Sequence, residues 1–252
     1  MPNPSLNQAR DRSDLSQFLI HLTKNGNFQS YYPSSSGGYL YRRVSVRAKS
    51  SLDQMLSTRK IEARSPFGYF KLKISFPKQS RGPVAPDWIK SVCFSETPLQ
   101  ELKNFYTAVT SKRNAYQKYG LAFWADNLIG KGANPIFYTD SRKSSYLNAL
   151  NQMLGPQIQQ FVPVLHLYET FGPLVLGGQG YSDFRWEREW RKRGDLKFQD
   201  TDVAFGLCPA NEIDHYEALV NRAYPFLDPD WDEATIRAYL NKFGANRLLA
   251  AL

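Results

Sequence analysis

The apolar residues of this chain fall into short runs of strand length, separated by polar and Gly- or Pro-rich stretches. Five runs predict strands, at 15–22, 92–96, 119–123, 134–138 and 203–208. Apolar residues at helical spacing lie between and after them, at 51–56, 97–102, 144–170 and 210–252. Because these strands and helices do not alternate strictly, the sequence predicts an α+β fold rather than a doubly wound parallel sheet.

With 252 residues, 42% of them hydrophobic, the chain is long enough for one large domain with a real core. We expect a flexible N-terminal tail over 1–13 and a single α+β domain over 14–252. Within it, a long loop insertion is expected at about 24–50, where Ser, Gly, Tyr and Arg are frequent. The end of the chain, over 210–252, is expected to be helical, with Gly244 as a helix stop.

Composition and cysteine placement limit the location and the partners of the protein. No run approaches the roughly 18 consecutive apolar residues of a membrane-spanning helix, and residues 1–16 are polar without an apolar signal core, so we expect neither membrane insertion nor export. Cys93 and Cys208 adjoin apolar residues, which predicts reduced, buried thiols and a cytoplasmic location. The net charge of +9 predicts a positive surface that suits nucleic acid, nucleotide phosphates or an acidic partner. Three well-separated histidines lack zinc-site spacing, so no metal is expected.

The segment Glu187–Arg191 carries two carboxylates two residues apart in an aromatic and basic stretch. On a strand, alternate side chains share a face, so Glu187, Glu189 and Arg191 would lie together. A helix would instead pair Glu187 with Arg191 at i, i+4. The turn-like residues 192–195 and the alternation beyond them favour two strands over 184–198. A solvated charged hairpin is the alternative to a functional carboxylate pair.

Four pieces in this order resemble the bacterial AbiGi family of abortive phage resistance proteins: 21–23, 92–99, 119–123 together with 132–138, and 187–191. The resemblance covers about residues 15–210. More remotely, the layout is similar to that of DarT-type and other ADP-ribosyltransferases, with a His-x-Thr ending a first core strand and a Glu on a late one. This resemblance implies an ADP-ribosyltransferase-like split mixed β-sheet core with peripheral helices and a helical C-terminus.

The resemblance also implies a reaction and its catalytic residues. ADP-ribosyl transfer breaks the bond between ribose and nicotinamide in NAD through an oxocarbenium-like transition state, whose positive charge a carboxylate stabilises. Glu189 would be that carboxylate. Glu187 would orient the acceptor or act as a base, and the sequence leaves open which of the two is primary.

The cofactor-binding residues implied by the same resemblance lie on three segments. His21 would hydrogen-bond a ribose hydroxyl of NAD, and Thr23 would flank the nicotinamide end. Ser95 stands at the place where DarT-type enzymes carry an arginine. Arg43, in the expected loop, would meet the pyrophosphate. A satisfied core histidine and a solvated basic loop are the structural alternatives.

Three functions follow as hypotheses. The first is a toxin-type effector in antiviral defence that transfers ADP-ribose from NAD to a nucleic acid, a ribosome-associated target or a protein. The second is a non-catalytic antitoxin that holds a cognate toxin, or an RNA- or protein-binding module on the same fold. A metal-dependent nuclease ranks last, because no Asp/Glu…Glu-x-Lys pattern supports it.

Overall fold

A computed structural model describes residues 16–34, 38–64, 87–112, 116–142, 144–153, 155–173, 181–182 and 185–252. Its strands in chain order are β1 (Phe18–Lys24), β2 (Gly26–Ser34), β3 (Gly38–Val46), β4 (Lys60–Ile61), β5 (Ser91–Glu96), β6 (Tyr116–Trp124), β7 (Ala133–Pro135), β8 (Phe137–Asp140), β9 (Tyr168–Pro173), β10 (Tyr181–Ser182), β11 (Glu189–Arg193), β12 (Leu196–Lys197), β13 (Val203–Leu207) and β14 (Phe226–Leu227). Its helices are α1 (Ala48–Thr58), α2 (Leu102–Lys112), α3 (Ala125–Gly130), α4 (Ser144–Gln152), α5 (Ile158–Phe161), α6 (Ile213–Leu219), α7 (Glu233–Phe243) and α8 (Asn246–Leu249).

A seven-stranded sheet organises the fold, in the spatial order β14-β13-β6-β1-β5-β11-β7. Its neighbours run antiparallel except β13 and β14, which are parallel. Smaller sheets are formed by β10-β9-β8, by β12-β4 and by the hairpin β2-β3. The mixed α+β class predicted from the sequence is therefore confirmed.

The two edges of β1 are paired to very different extents. Along β6 the pairing runs from Phe18 opposite Trp124 to Leu22 opposite Gly120. Along β5 it comprises only Leu19 with Glu96 and Ile20 with Ser95. The backbone ladder between β1 and β5 therefore stops after Ile20, and the sheet opens in its middle.

Alternation along β1 sends its side chains into two hydrophobic cores. Leu19 packs in a cluster with Leu52 of α1 and Phe94 of β5. Phe18 and Ile20 pack on the other face, in a cluster with residues of α2 and α7. This is the pattern expected of a strand buried on both faces, since each alternate position meets a different layer.

Two expectations about local structure were wrong, the long loop at 24–50 and the helix over the whole of 144–170. The stretch 24–50 is not a long loop: it contains the hairpin β2-β3 and the start of α1. Its Ser and Gly residues are concentrated near the turn, while both strands carry aromatic residues, which favour strand conformation. The helix expected at 51–56 begins earlier, at Ala48, and ends at Thr58 before Arg59, which is left-handed with φ 48°.

The region 144–170 is helical only in part, because Tyr168–Pro173 forms β9, which pairs in parallel with β8. The segment 184–198 holds two short strands and a turn at Gly194, whose φ is 67°, but these strands do not pair with each other. Instead β11 pairs with β5 and β7, and β12 pairs with β4.

Gly244, with φ 84°, ends α7 as predicted. Within the described ranges, no helix is both long and apolar enough to cross a membrane.

Candidate functional site

A cavity of about 240 Å³ lies where β1 and β5 part. Its walls include β1, β4, β5, α1, α2 and the turn before β11. Of the six site residues predicted from the sequence, five line it: His21, Thr23, Ser95, Glu187 and Glu189. Ligand pockets for drug-sized molecules span about 300–1,000 Å³, so this cavity suits part of a dinucleotide rather than a whole one.

The cavity takes side chains from both faces of the sheet. Glu189 pairs with Ser95 in the β5/β11 ladder, and Ser95 pairs with Ile20 in the β1/β5 ladder. Directly paired residues share a face, so these three belong to one face and His21, next to Ile20, belongs to the other. Two strand spacings separate the backbones of Glu189 and Ile20, a distance of about 10 Å. The Glu189 carboxylate and the His21 imidazole therefore reach the cavity from opposite faces of the sheet.

His21 is held in one tautomer. Its Nδ1 lies 2.8 Å from the carbonyl oxygen of Cys93, which only accepts hydrogen bonds, so Nδ1 carries the proton and Nε2 is an acceptor. Burial lowers the pKa of His21 to about 4, and the charges of Arg64 and Lys24 act in the same direction, against the hydrogen bond to Cys93. The imidazole is therefore neutral at pH 7 and suited to accept a hydrogen bond from a ligand hydroxyl.

The position of His21 depends on a close approach between β1 and β6. A Cβ atom at Gly120 would lie 2.5 Å from the carbonyl oxygen of His21. Two residues further along, the register of β1 against β6 shifts between Leu22 and Lys24. In this bulge the Thr23 hydroxyl donates a hydrogen bond of 2.8 Å to the carbonyl of Tyr119. The oxygen of Thr23 keeps acceptor capacity, since a hydroxyl has two lone pairs.

Glu189 is bound on both carboxylate oxygens by Arg191. Nε of Arg191 donates to Oε1 at 2.7 Å, and Nη2 donates to Oε2 at 2.9 Å. The guanidinium also donates to Oε2 of Glu169 at 3.1 Å and to the carbonyl of His166 at 2.9 Å. Burial by itself would lower the pKa of Arg191, but the charge of Glu189, with a smaller contribution from Glu169, raises it above its ordinary value. Two carboxylates against one guanidinium leave this cluster with a formal charge of −1.

Glu187 reaches the cavity from a different element. It ends a 3₁₀ turn over Arg185–Glu187, whereas β11 begins at Glu189. Arg188 between them is left-handed, with φ 43°, which interrupts strand alternation. The expectation that Glu187 and Glu189 share a strand face was therefore wrong, although both line the same cavity.

Ser95 lies on β5 between Ile20 and Glu189, and the adjacent Glu96 is paired. Oε2 of Glu96 accepts a hydrogen bond of 3.0 Å from Nε1 of Trp190, and Oε1 lies 3.2 Å from Nη2 of Arg188. An unpaired carboxylate here would repel a phosphate-bearing ligand. These two partners, and the backbone N–H of Ser16, which donates to Oε1 at 3.1 Å, reduce that repulsion.

The predicted phosphate-binding Arg43 lies on β3, opposite Gln29. Its side chain falls outside what the structure describes. Among the described side chains, three cations line the cavity: Lys24, Lys60 and Arg64. None of the three was singled out from the sequence; Arg64 reaches the cavity through its bridge to Ser91 at the start of β5.

Two further residues of the site were missed. Glu169 was expected within a helix, and only its place on β9 next to β8 brings it to Arg191. Cys93 was expected to be buried, but its role as a cavity wall required the opening of the sheet. Burial raises the pKa of the Cys93 thiol, and the charge of Glu189 raises it further, so the thiol stays protonated at pH 7.

No cluster of three or more His, Cys, Asp and Glu side chains that could hold a metal ion occurs in the described part of the chain. A comparison with protein-family models found no match, and no similar protein was found among the curated proteins or the solved structures. The cavity is the feature of the molecule that bears on function. Its lining combines a neutral imidazole with the carboxylates of Glu62, Glu169, Glu187 and Glu189, an arrangement suited to hold ribose hydroxyls and to stabilise positive charge on a sugar ring.

Proposed function

We propose that this protein is an NAD-dependent ADP-ribosyltransferase, a toxin-type effector of phage defence that modifies a macromolecule. The single observation that supports this proposal most is that His21, Thr23, Ser95, Glu187 and Glu189 line one cavity, although they come from three separate segments. The opening between β1 and β5 also agrees with the split sheet that the resemblance implies.

In the proposed reaction, nicotinamide leaves with the electron pair of its bond to ribose C1′. Glu189 stabilises the positive charge that develops on the ribose, and Nε2 of His21 accepts a hydrogen bond from a ribose hydroxyl. A nucleophilic group of the target then bonds to C1′. Glu187, on its separate turn, orients that group and takes its proton.

Transfer of labelled ADP-ribose from NAD to components of a cell lysate tests this function. We expect label in a macromolecular fraction with the wild-type protein and at least a tenfold slower rate with Glu189→Gln, because the charge that stabilises the transition state is lost. Glu233→Gln is the matched control, since Glu233 is an exposed helix residue paired only with Arg237 among the contacts described. Absence of transfer by the wild type would refute the proposal.

The bidentate pair between Arg191 and Glu189 favours one alternative. In it, Glu189 serves only as the counter-ion of a buried arginine, and the protein is a non-catalytic antitoxin or an RNA- or protein-binding module. The alternative predicts no cleavage of NAD, a loss of stability in Glu189→Gln, and either a stoichiometric protein partner or RNA binding that weakens steeply with salt.

A further inference from the structure

The cluster of Arg191, Glu189 and Glu169 is graded in its access to solvent. The side chain of Arg191 is 2% exposed and that of Glu169 is 7% exposed, whereas that of Glu189 is 12% exposed. Arg191 thus lies behind Glu189, which is the most accessible of the three. A guanidinium so placed acts on a ligand through Glu189 rather than by contact.

Stability alone gives a weak reason for this cluster. Burying a guanidinium and two carboxylates carries a large desolvation cost, and well-packed apolar side chains of similar volume often give equal or greater stability. The ionic cluster instead fixes the positions of the Glu189 carboxylate and the Arg191 guanidinium. Two parallel hydrogen bonds fix both oxygens of Glu189, and the bonds to Glu169 and to the carbonyl of His166 fix the guanidinium.

From this geometry we infer that Arg191 is a positioning residue that holds the Glu189 carboxylate for the reaction, an inference that rests on the proposed transferase function. Each Glu189 oxygen receives one hydrogen bond from Arg191, and a carboxylate oxygen has two lone pairs. The Cys93 thiol also hydrogen-bonds the Glu189 carboxylate, so one of its roughly four lone-pair sites stays available to a ribose hydroxyl. Lysine cannot replace Arg191, since an ammonium group cannot make the parallel pair.

A double-mutant cycle on NAD cleavage tests this role. Arg191→Lys keeps the positive charge but loses the two parallel hydrogen bonds to Glu189. We therefore expect kcat to fall about tenfold or more, while the KM for NAD changes less than about threefold. Because Arg191 acts through Glu189, the variant that combines Arg191→Lys with Glu189→Gln should be no slower than Glu189→Gln alone. If Arg191→Lys does not fold, Arg191→Gln enters the same cycle.

Two controls separate positioning from general destabilisation. Ile236→Val, in the core between α7 and the sheet, lowers the melting temperature without touching the cavity and should keep wild-type kcat. Arg237→Lys makes the same arginine-to-lysine exchange at an exposed ion pair and should also keep wild-type kcat. The inference is overturned if Arg191→Lys and Glu189→Gln lower kcat independently, so that their effects multiply. It is also overturned if kcat follows the melting temperature across all variants. Absence of NAD cleavage by the wild type refutes the transferase function, and the positioning role with it.

Discussion

The two edges of β1 differ in kind. On the side of β6, backbone pairing is continuous from Phe18 to Leu22, and Gly120 lets the two strands approach closely. On the side of β5, pairing ends at Ile20, and the His21 side chain bridges to the carbonyl of Cys93. We call these the closed edge and the open edge.

The closed edge contributes mainly to stability, whereas the open edge carries the groups that could take part in the proposed reaction. The closed edge buries aromatic and aliphatic side chains, each contributing about 1.5–3 kcal/mol when fully buried. The open edge holds a neutral imidazole, carboxylates and cations, which cost free energy to desolvate. Substitutions at the closed edge should therefore change mainly the free energy of unfolding, and substitutions at the open edge should change mainly the reaction.

The largest expected effect is that of Phe123→Ala at the closed edge. Phe123 is fully buried and packs edge-on against Phe94 and Phe198, with ring centroids 5.9 and 5.2 Å away. We expect the free energy of unfolding to fall by about 3–5 kcal/mol in urea denaturation. Phe137→Ala is the control, because Phe137 is 54% exposed and its loss should cost only about 1 kcal/mol, through the ring contact with Tyr168. Equal losses would contradict the assignment of the core.

The next effect is a pH dependence of stability that arises from His21 at the open edge. Its pKa is about 4 in the folded protein and about 6.5 in the unfolded chain, which therefore binds more protons between these values. The contribution to stability is complete above pH 6.5 and is lost as the pH falls towards 4, by up to about 3 kcal/mol. In urea titrations from pH 7 to 4, the free energy of unfolding should fall less steeply with pH for His21→Gln than for the wild type. Parallel curves would show that His21 is not desolvated.

Gly120→Ala should have a smaller effect on stability, of about 1–3 kcal/mol, because the new Cβ would displace the backbone of His21. This substitution links the two edges, since moving His21 should also slow NAD cleavage. Gly130→Ala is the control, as nothing lies within 4 Å of a Cβ there. An unchanged melting temperature in Gly120→Ala would mean that β1 and β6 are further apart than described.

The smallest effect is expected for Thr23→Val, at about 1 kcal/mol, because the Tyr119 carbonyl loses its hydrogen-bond donor. Thr23→Ser keeps the hydroxyl and should recover most of the loss in thermal unfolding. If Thr23→Ser is as unstable as Thr23→Val, the methyl group of Thr23 matters more than its hydroxyl.

Strands whose signal is local were predictable from the sequence. Alternation and apolar content identified β1, β5, β6 and β13, because these strands are buried whatever their partners are. The first half of β9, over 168–170, was expected to be helical because Val164, Leu165 and Tyr168 have helical spacing. Pairing with β8 overrides that preference, and a single segment gives no sign of its partner.

Five residues that line the cavity could be named from the sequence, but the geometry of the cavity could not. His21 and the Glu187–Glu189 segment could be named because their residue types and order resemble a known layout. The left-handed Arg188, which removes Glu187 from the strand face, has no sequence signal, since left-handed arginine is rare. Glu169 meets Arg191 across 22 positions of sequence, a contact that only tertiary packing creates.

Release of nicotinamide from NAD by the purified protein is the most direct test of the claim that the open edge is a catalytic site. Wild type, His21→Gln, Glu189→Gln and the surface control Glu233→Gln should be compared at pH 7, where His21 is neutral. The account predicts release by wild type and Glu233→Gln at equal rates, and rates at least about tenfold lower for the two cavity variants. No release by the wild type, or equal release by all four proteins, would contradict it.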